Sequence, residues 1–189
     1  MASDKDESEL DILYRRPGFL MRRAHQISVS LFMDEAAHLG LTTTQYGALV
    51  VLQSHQDLDQ FGLAKLVGID RSTAALVVSK LDAAGLITRQ QDSTDLRRKV
   101  LVLTVKGHDM LRQVAEPAQR AHDRALSAFT PKQAETFLNL LSRFVETFNE
   151  NARVPIHKAG HPAERRRVRK KGASRQRAEG QRRDGAAHG

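Results

Sequence analysis

Between Gln60 and Thr104 the spacing of apolar residues changes once, and that change limits the folds open to the chain. Phe61, Leu63, Ala64 and Val67 predict a short helix ending at Gly68. Asp70 is placed to cap a second helix from Arg71 to Ala84, which Gly85 terminates. On it Ala74, Val77, Val78 and Leu81 fall at i, i+3, i+4 and i+7, a stripe for the core. Beyond Gly85 the period becomes strand-like. Leu86–Gln91 and Lys99–Thr104 predict two strands around the polar loop 92–98. Two helices at helix-turn-helix spacing followed by a hairpin describe a winged helix-turn-helix.

The flanks read as helices too. Pro17 suits a first helical turn, and Leu20, Ala24, Ile27 and Leu31 predict a helix over about 17–38. Thr42 and Gln45 form a capping-box pattern ahead of Tyr46, Leu49, Val50 and Leu52. Thr104 can cap a long helix through Leu111, Val114, Ala118, Ala121 and Ala125, with a kink expected at Pro117. Thr130 and Gln133 repeat the capping box before a last helix lined by Phe137, Leu141, Phe144 and Phe148. The expected fold is mainly α with a small β-hairpin wing. It comprises an acidic arm (1–16), a helix-turn-helix (60–85), a wing (86–104), dimerisation helices (17–38 and 105–151) and a basic tail (152–189). The terminal helices carry more apolar surface than one such domain covers, which points to a two-fold homodimer.

Charge is distributed unevenly. The 189 residues carry a net +8, and residues 158–189, with eleven Lys/Arg against three acids, hold the whole excess. That tail is poor in bulky apolar residues and is expected to be disordered. Within the neutral remainder, Gln60–Gly107 has eight basic and four acidic residues, so a polyanionic partner has two places to dock. The absence of cysteine excludes disulfides, thiolate zinc sites and a cysteine nucleophile. No GxSxG, GxGxxG, P-loop or HExxH pattern is present, so no enzyme and no cofactor are expected. No run reaches the roughly 20 apolar residues of a membrane span, and the acidic start is unlike a signal peptide, so a cytoplasmic protein is expected.

In a helix-turn-helix the second helix enters the DNA major groove. Its outward residues here are Ser72, Thr73, Leu76, Ser79 and Lys80, with Arg71 at the entrance. Hydroxyls and short apolar groups suit base edges and thymine methyls, and the cations suit phosphates or guanine. Ser72 and Thr73 equally suit a simple helix start.

Asp95-x-Arg97, then Val100-x-Val102-Leu103-Thr104-x-Lys106-Gly107, together with Leu63-Ala64 and Gly68-Ile69-Asp70-Arg71-Ser72-Thr73, resembles the MarR family of winged-helix transcriptional regulators. The resemblance spans about residues 17–151. The run from Arg15 to Leu52 and the later Asn151–Ile156 more specifically resemble members that repress aromatic-acid and nicotinate catabolism. It implies a homodimer on a two-half-site, pseudo-palindromic operator, released when a small aromatic ligand binds. It also implies that Arg97 enters the minor groove while Asp95 holds the wing. Arg89, Arg98 and Lys99 are then expected at phosphates. Leu76 and Ala75 depart from the polar residues many members carry there, which shifts readout towards methyl contacts and DNA shape.

The resemblance implies an effector site beside the first, second and fifth of these helices. Arg22, Arg23, His25 and Gln26, with Gln45 and Tyr46, are the candidates, because an Arg and a His against apolar walls suit an aromatic carboxylate. The same residues also suit surface charges, dimer salt bridges and a core histidine. No metal site is expected: Gly160 and Pro162 spoil the His157/His161 pair, and His108 and His122 need not converge. An architectural DNA binder driven by the tail and a MarR-like activator remain as alternatives to a repressor.

Overall fold

Most helices of the chain begin at a short polar side chain that accepts a backbone N–H. The computed structural model describes residues 8–92 and 97–156. Its helices are α1 (Glu9–Arg15), α2 (Pro17–Ala36), α3 (Thr43–Ser54), α4 (Gln60–Val67), α5 (Arg71–Ala83), α6 (Val105–Leu126) and α7 (Pro131–Thr147). The hairpin strands β1 (Ile87–Gln91) and β2 (Lys99–Leu103) lie between α5 and α6. They pair antiparallel, with Ile87 opposite Leu103 and Gln91 opposite Lys99. Thr42 and Thr130 close full capping boxes with Gln45 and Gln133, while Asp59, Asp70 and Thr104 cap α4, α5 and α6.

Two boundaries differ from expectation. Residues 9–15 of the acidic arm form α1, capped by Ser8. α2 stops at Ala36, and a 3-10 turn (Ala37–Leu39) carries the chain to Gly40. As expected, α6 continues through Pro117, which is buried.

The core gathers around Leu49, Leu63, Val78, Leu81, Ile87 and Val114, all fully buried. The predicted α5 stripe, Ala74, Val77, Val78 and Leu81, is buried as a set. Its opposite face is therefore held outward, with Leu76 57% exposed.

The end of the wing is tied to the end of α5. Gly85 turns the chain at φ 69°, a conformation glycine adopts without steric cost. The Thr104 hydroxyl donates to the Gly85 carbonyl (2.7 Å) while accepting from the Gly107 N–H (3.0 Å). Lys106 Nζ donates to the Ala84 carbonyl (2.8 Å), a cation at a helix C-terminus. A Cβ on Gly107 would lie 2.1 Å from the Leu86 carbonyl oxygen, so this crossing admits only glycine. Thr104, Lys106 and Gly107 thus fix where the hairpin leaves the helix.

Ion pairs join α2 to α6. The Glu35 carboxylate, 18% exposed, accepts from Arg120 Nε and Arg124 Nη1, both at 2.8 Å. Hydrogen bonds from Arg120, then from Arg124, hold the Glu35 carboxyl below its ordinary value of 4.5. Its stabilising share is complete above pH 4.5 and is lost as pH falls through the lower folded value. Glu35→Gln is accordingly expected to lower the thermal midpoint at pH 7, with the gap to wild type closing below pH 4.5. A gap independent of pH in melting curves would remove the ion pair as its cause.

Candidate nucleic-acid interface

Arg71 at the start of α5, the first turn of α4 and the wing line a groove of about 640 Å3. Asp59, Gln60, Phe61, Arg71, Arg89, Arg97, Arg98, Lys99 and Leu101 line it. Five of these nine side chains are cationic and one is acidic, so the groove attracts polyanions.

At the start of α5, Asp70 accepts from the Ser72 hydroxyl (2.5 Å), the Thr73 N–H (2.9 Å) and the Thr73 hydroxyl (3.0 Å). Those bonds, led by that from Ser72, hold its carboxyl far below the usual carboxylate range. Ser72 and Thr73 thus do start the helix. Their hydroxyl protons are committed to Asp70, leaving oxygen lone pairs and the Thr73 methyl to offer to DNA. Leu76, Ser79 and Lys80 follow along the same exposed face.

Arg71 lies over the Phe61 ring with Cζ 4.8 Å from its centroid, and Lys65 Nζ approaches the same ring at 4.4 Å. Phe61 is 46% exposed. It therefore serves as a platform between two cations on the helix its spacing predicts.

The wing arginines separate by role. Arg97 and Lys99 are exposed and line the groove. Arg89 Nε pairs with Asp82 at 3.1 Å. Arg98 turns inward, onto Asp59 (3.2 Å), Asp92 (3.0 Å) and the Asp57 carbonyl. Asp95 lies outside the described residues.

None of the effector candidates lines this groove. Arg22, Arg23 and His25 are exposed on α2. Arg22 lies 5.0 Å over the Phe19 ring, and Arg23 donates to the Gln26 side chain at 2.9 Å. Gln45 is buried, with its carboxamide oxygen accepting the Thr42 N–H (2.9 Å), and Tyr46 stacks on Phe32 at 5.5 Å. Among the described residues, no group of three or more His, Asp or Glu side chains could hold a metal ion. No helix there is long and apolar enough to cross a membrane.

Residues 41–99 match the model of the MarR family. A helix-turn-helix regulator of Bacillus subtilis, YybA, is 34% identical over 70% of this chain and 85% of its own length. The chain belongs to the MarR family. The PcaV regulator of Streptomyces coelicolor is 32% identical, covers 70% of this chain and 96% of its own, and superimposes with a TM-score of 0.62. It has also been solved with its natural ligand (30% identity, 77% and 98% coverage, TM-score 0.63). The repressor CouR of Rhodococcus jostii, solved on a 23-mer DNA duplex, is 25% identical, with 74% and 99% coverage and a TM-score of 0.68. This MarR-family chain is a DNA-binding transcriptional regulator with a winged helix-turn-helix, not an enzyme.

Sequence reasoning missed Phe61, Lys65, Asp59 and Asp92 as parts of this face. One signal was present for the first two. An aromatic with a lysine four residues on, one helix before the reading helix, marks a cation platform.

Proposed function

We propose that this chain is a homodimeric repressor that sets α5 in the major groove and the wing in the minor groove of each operator half-site. A small aromatic acid then releases it. The observation that carries the reading is the groove between the start of α5 and the wing, lined by Arg71, Arg97 and Lys99, on a helix whose Leu76, Ser79 and Lys80 are exposed. A phosphate backbone fits between two reading elements there, and phosphate contacts fix register while the elements read bases and width. Ser72, Thr73 and Arg89 complete the DNA-facing set, and the family resemblance assigns Asp95 to holding the wing. CouR on its duplex and PcaV with its ligand support the two halves of the cycle. DNA as partner places the protein in the cytoplasm.

The effector belongs beside α2 and α3. Arg22, Arg23 and His25 are offered to it from α2, and Gln45 and Tyr46 contribute the wall. Exposed Leu20, Met21 and Ile27 on α2 supply apolar surface for a ring.

The test has two arms. Gel shifts compare operator and random duplex at several salt concentrations. A specificity ratio of about 10³ or more is expected, and a ratio near one would favour an architectural binder driven by the tail. A thermal-shift screen of small aromatic acids is expected to yield ligands that raise the midpoint and lower operator affinity. Ligands that raise the midpoint yet leave the operator bound would remove the release mechanism.

A further inference from the structure

We propose that Arg98 is a positioning residue that clasps the wing to the start of α4 and so sets the wing's reach over DNA. The inference rests on the DNA-binding reading above but assigns Arg98 a different task from its neighbours.

The wing needs such a clasp. A two-stranded hairpin is marginal by itself in water, and Arg89, Gln90 and Gln91 on β1 are all exposed. Two contacts fasten its far side to the loop before α4. The Leu101 N–H donates to the Leu58 carbonyl at 2.7 Å, adding one backbone bond beyond the hairpin. The second contact is Arg98. Its Nε donates to Asp59 Oδ2 (3.2 Å), its Nη1 to Asp92 Oδ2 (3.0 Å), and its Nη2 to the Asp57 carbonyl. One planar fork thereby joins the mouth of the wing loop, where the Asp92 N–H also donates to the Arg98 carbonyl at 3.0 Å, to residues 57–59.

The acceptors are built for this. Asp92 is buried, and a buried carboxylate is costly without a charged donor. Asp59 divides its oxygens: Oδ1 caps α4 by accepting the Gly62 N–H at 2.7 Å, and Oδ2 takes Arg98. Asp57 holds φ at 63°, a left-handed conformation that a non-glycine residue rarely adopts, and its carbonyl meets the guanidinium. The guanidinium thus has three protein acceptors, two of them charged. The adjacent Arg97 and Lys99 remain exposed in the groove.

Clasp and phosphate contact predict opposite outcomes for two substitutions. Arg98→Lys keeps the charge but loses the fork, so a phosphate contact survives it and a three-way clasp does not. Asp59→Asn keeps a good helix cap and removes an acid from the groove. By charge alone that tightens DNA binding; loss of the clasp weakens it. We expect each variant to bind operator about tenfold more weakly in gel shifts, with the salt slope unchanged. The double variant should be no weaker than the weaker single, since both remove one interaction. Faster amide exchange at Asp92 and Leu101 in the free protein is the expected structural signature. Wild-type affinity in Arg98→Lys, or tighter binding in Asp59→Asn, overturns the clasp. Arg97→Ala, run beside them, separates the two levels: if it alone loses affinity, the DNA reading stands and the clasp fails. A wild-type protein with no operator preference removes the reading itself.

Discussion

Arg97→Ala is expected to weaken operator binding at least about tenfold and to reduce the slope of log affinity against log salt by about one. Arg97 is exposed at the wing, four places before the Leu101 backbone bond that anchors β2. From there it lines the groove together with Arg71 and Lys99. An arginine carried into a narrow minor groove meets the strongest negative potential on the duplex, and it reads width rather than a base pattern. The loss should therefore be greatest on A·T-rich flanks and smaller where the minor groove is wide. Because the side chain is exposed, the thermal midpoint should stay near that of wild type, which separates a reading defect from a folding defect. Affinity unchanged in titrations at several salt concentrations would sink the wing assignment. A uniform loss with no dependence on flanking sequence would reduce Arg97 to a phosphate contact.

Caps and chain turns were legible in the sequence because their chemistry is local. Thr42 with Gln45, Asp70, Thr104 and Thr130 with Gln133 each act within three residues, and Gly85 needs only its own backbone. The core stripe of α5 was legible for a similar reason, since helical spacing alone sets its face. Roles that depend on distant partners were hidden. Arg97, Arg98 and Lys99 form one basic run in the sequence, yet the middle residue turns to Asp59, thirty-nine positions earlier. Strand geometry sends successive side chains to opposite sides, but only the fold says which side holds the carboxylates. Phe61 sat among the apolar residues that predict α4, and periodicity cannot tell a buried face from an aromatic edge flanked by cations. α1 was masked by its acids, although Leu10, Leu13 and Tyr14 already stood at helical spacing. The effector candidates span α2 and α3, with Arg22, Arg23 and His25 exposed and Gln45 buried, so spacing on one helix could not pair them.

Leu141→Asp combined with Phe144→Asp is expected to turn the protein from dimer to monomer and to weaken operator binding on the order of a hundredfold or more. Among the described residues, none of α7 is buried. Phe137, Leu138, Leu140, Leu141, Phe144 and Val145 are 39–61% exposed along it, and Phe148 follows at 50%. At 40–50% exposure each phenylalanine shows on the order of 80–100 Å2 of the roughly 200 Å2 it can bury, so the whole face reaches the upper end of the patch a monomeric soluble protein ordinarily leaves open. α7 nonetheless begins with a full capping box and a first-turn proline, so it is a well-specified helix whose apolar face is left uncovered by the described residues. A two-fold axis supplies one at once: the same face, or the exposed Leu20, Met21 and Ile27 of α2, meets its equivalent from a second copy. Two carboxylates in that contact would be desolvated without counter-charges, a cost that association cannot offset. The domain core around Leu49, Leu81 and Val114 does not include α7, so the variant should keep its helical circular dichroism as a monomer. Its wing and α5 would still engage one half-site, but the second half-site would no longer be held at high effective concentration. Light scattering that shows a wild-type monomer at micromolar concentration would sink the idea. So would a monomeric variant that binds the two-half-site operator as tightly as wild type, because the dimer would then contribute nothing to reading DNA.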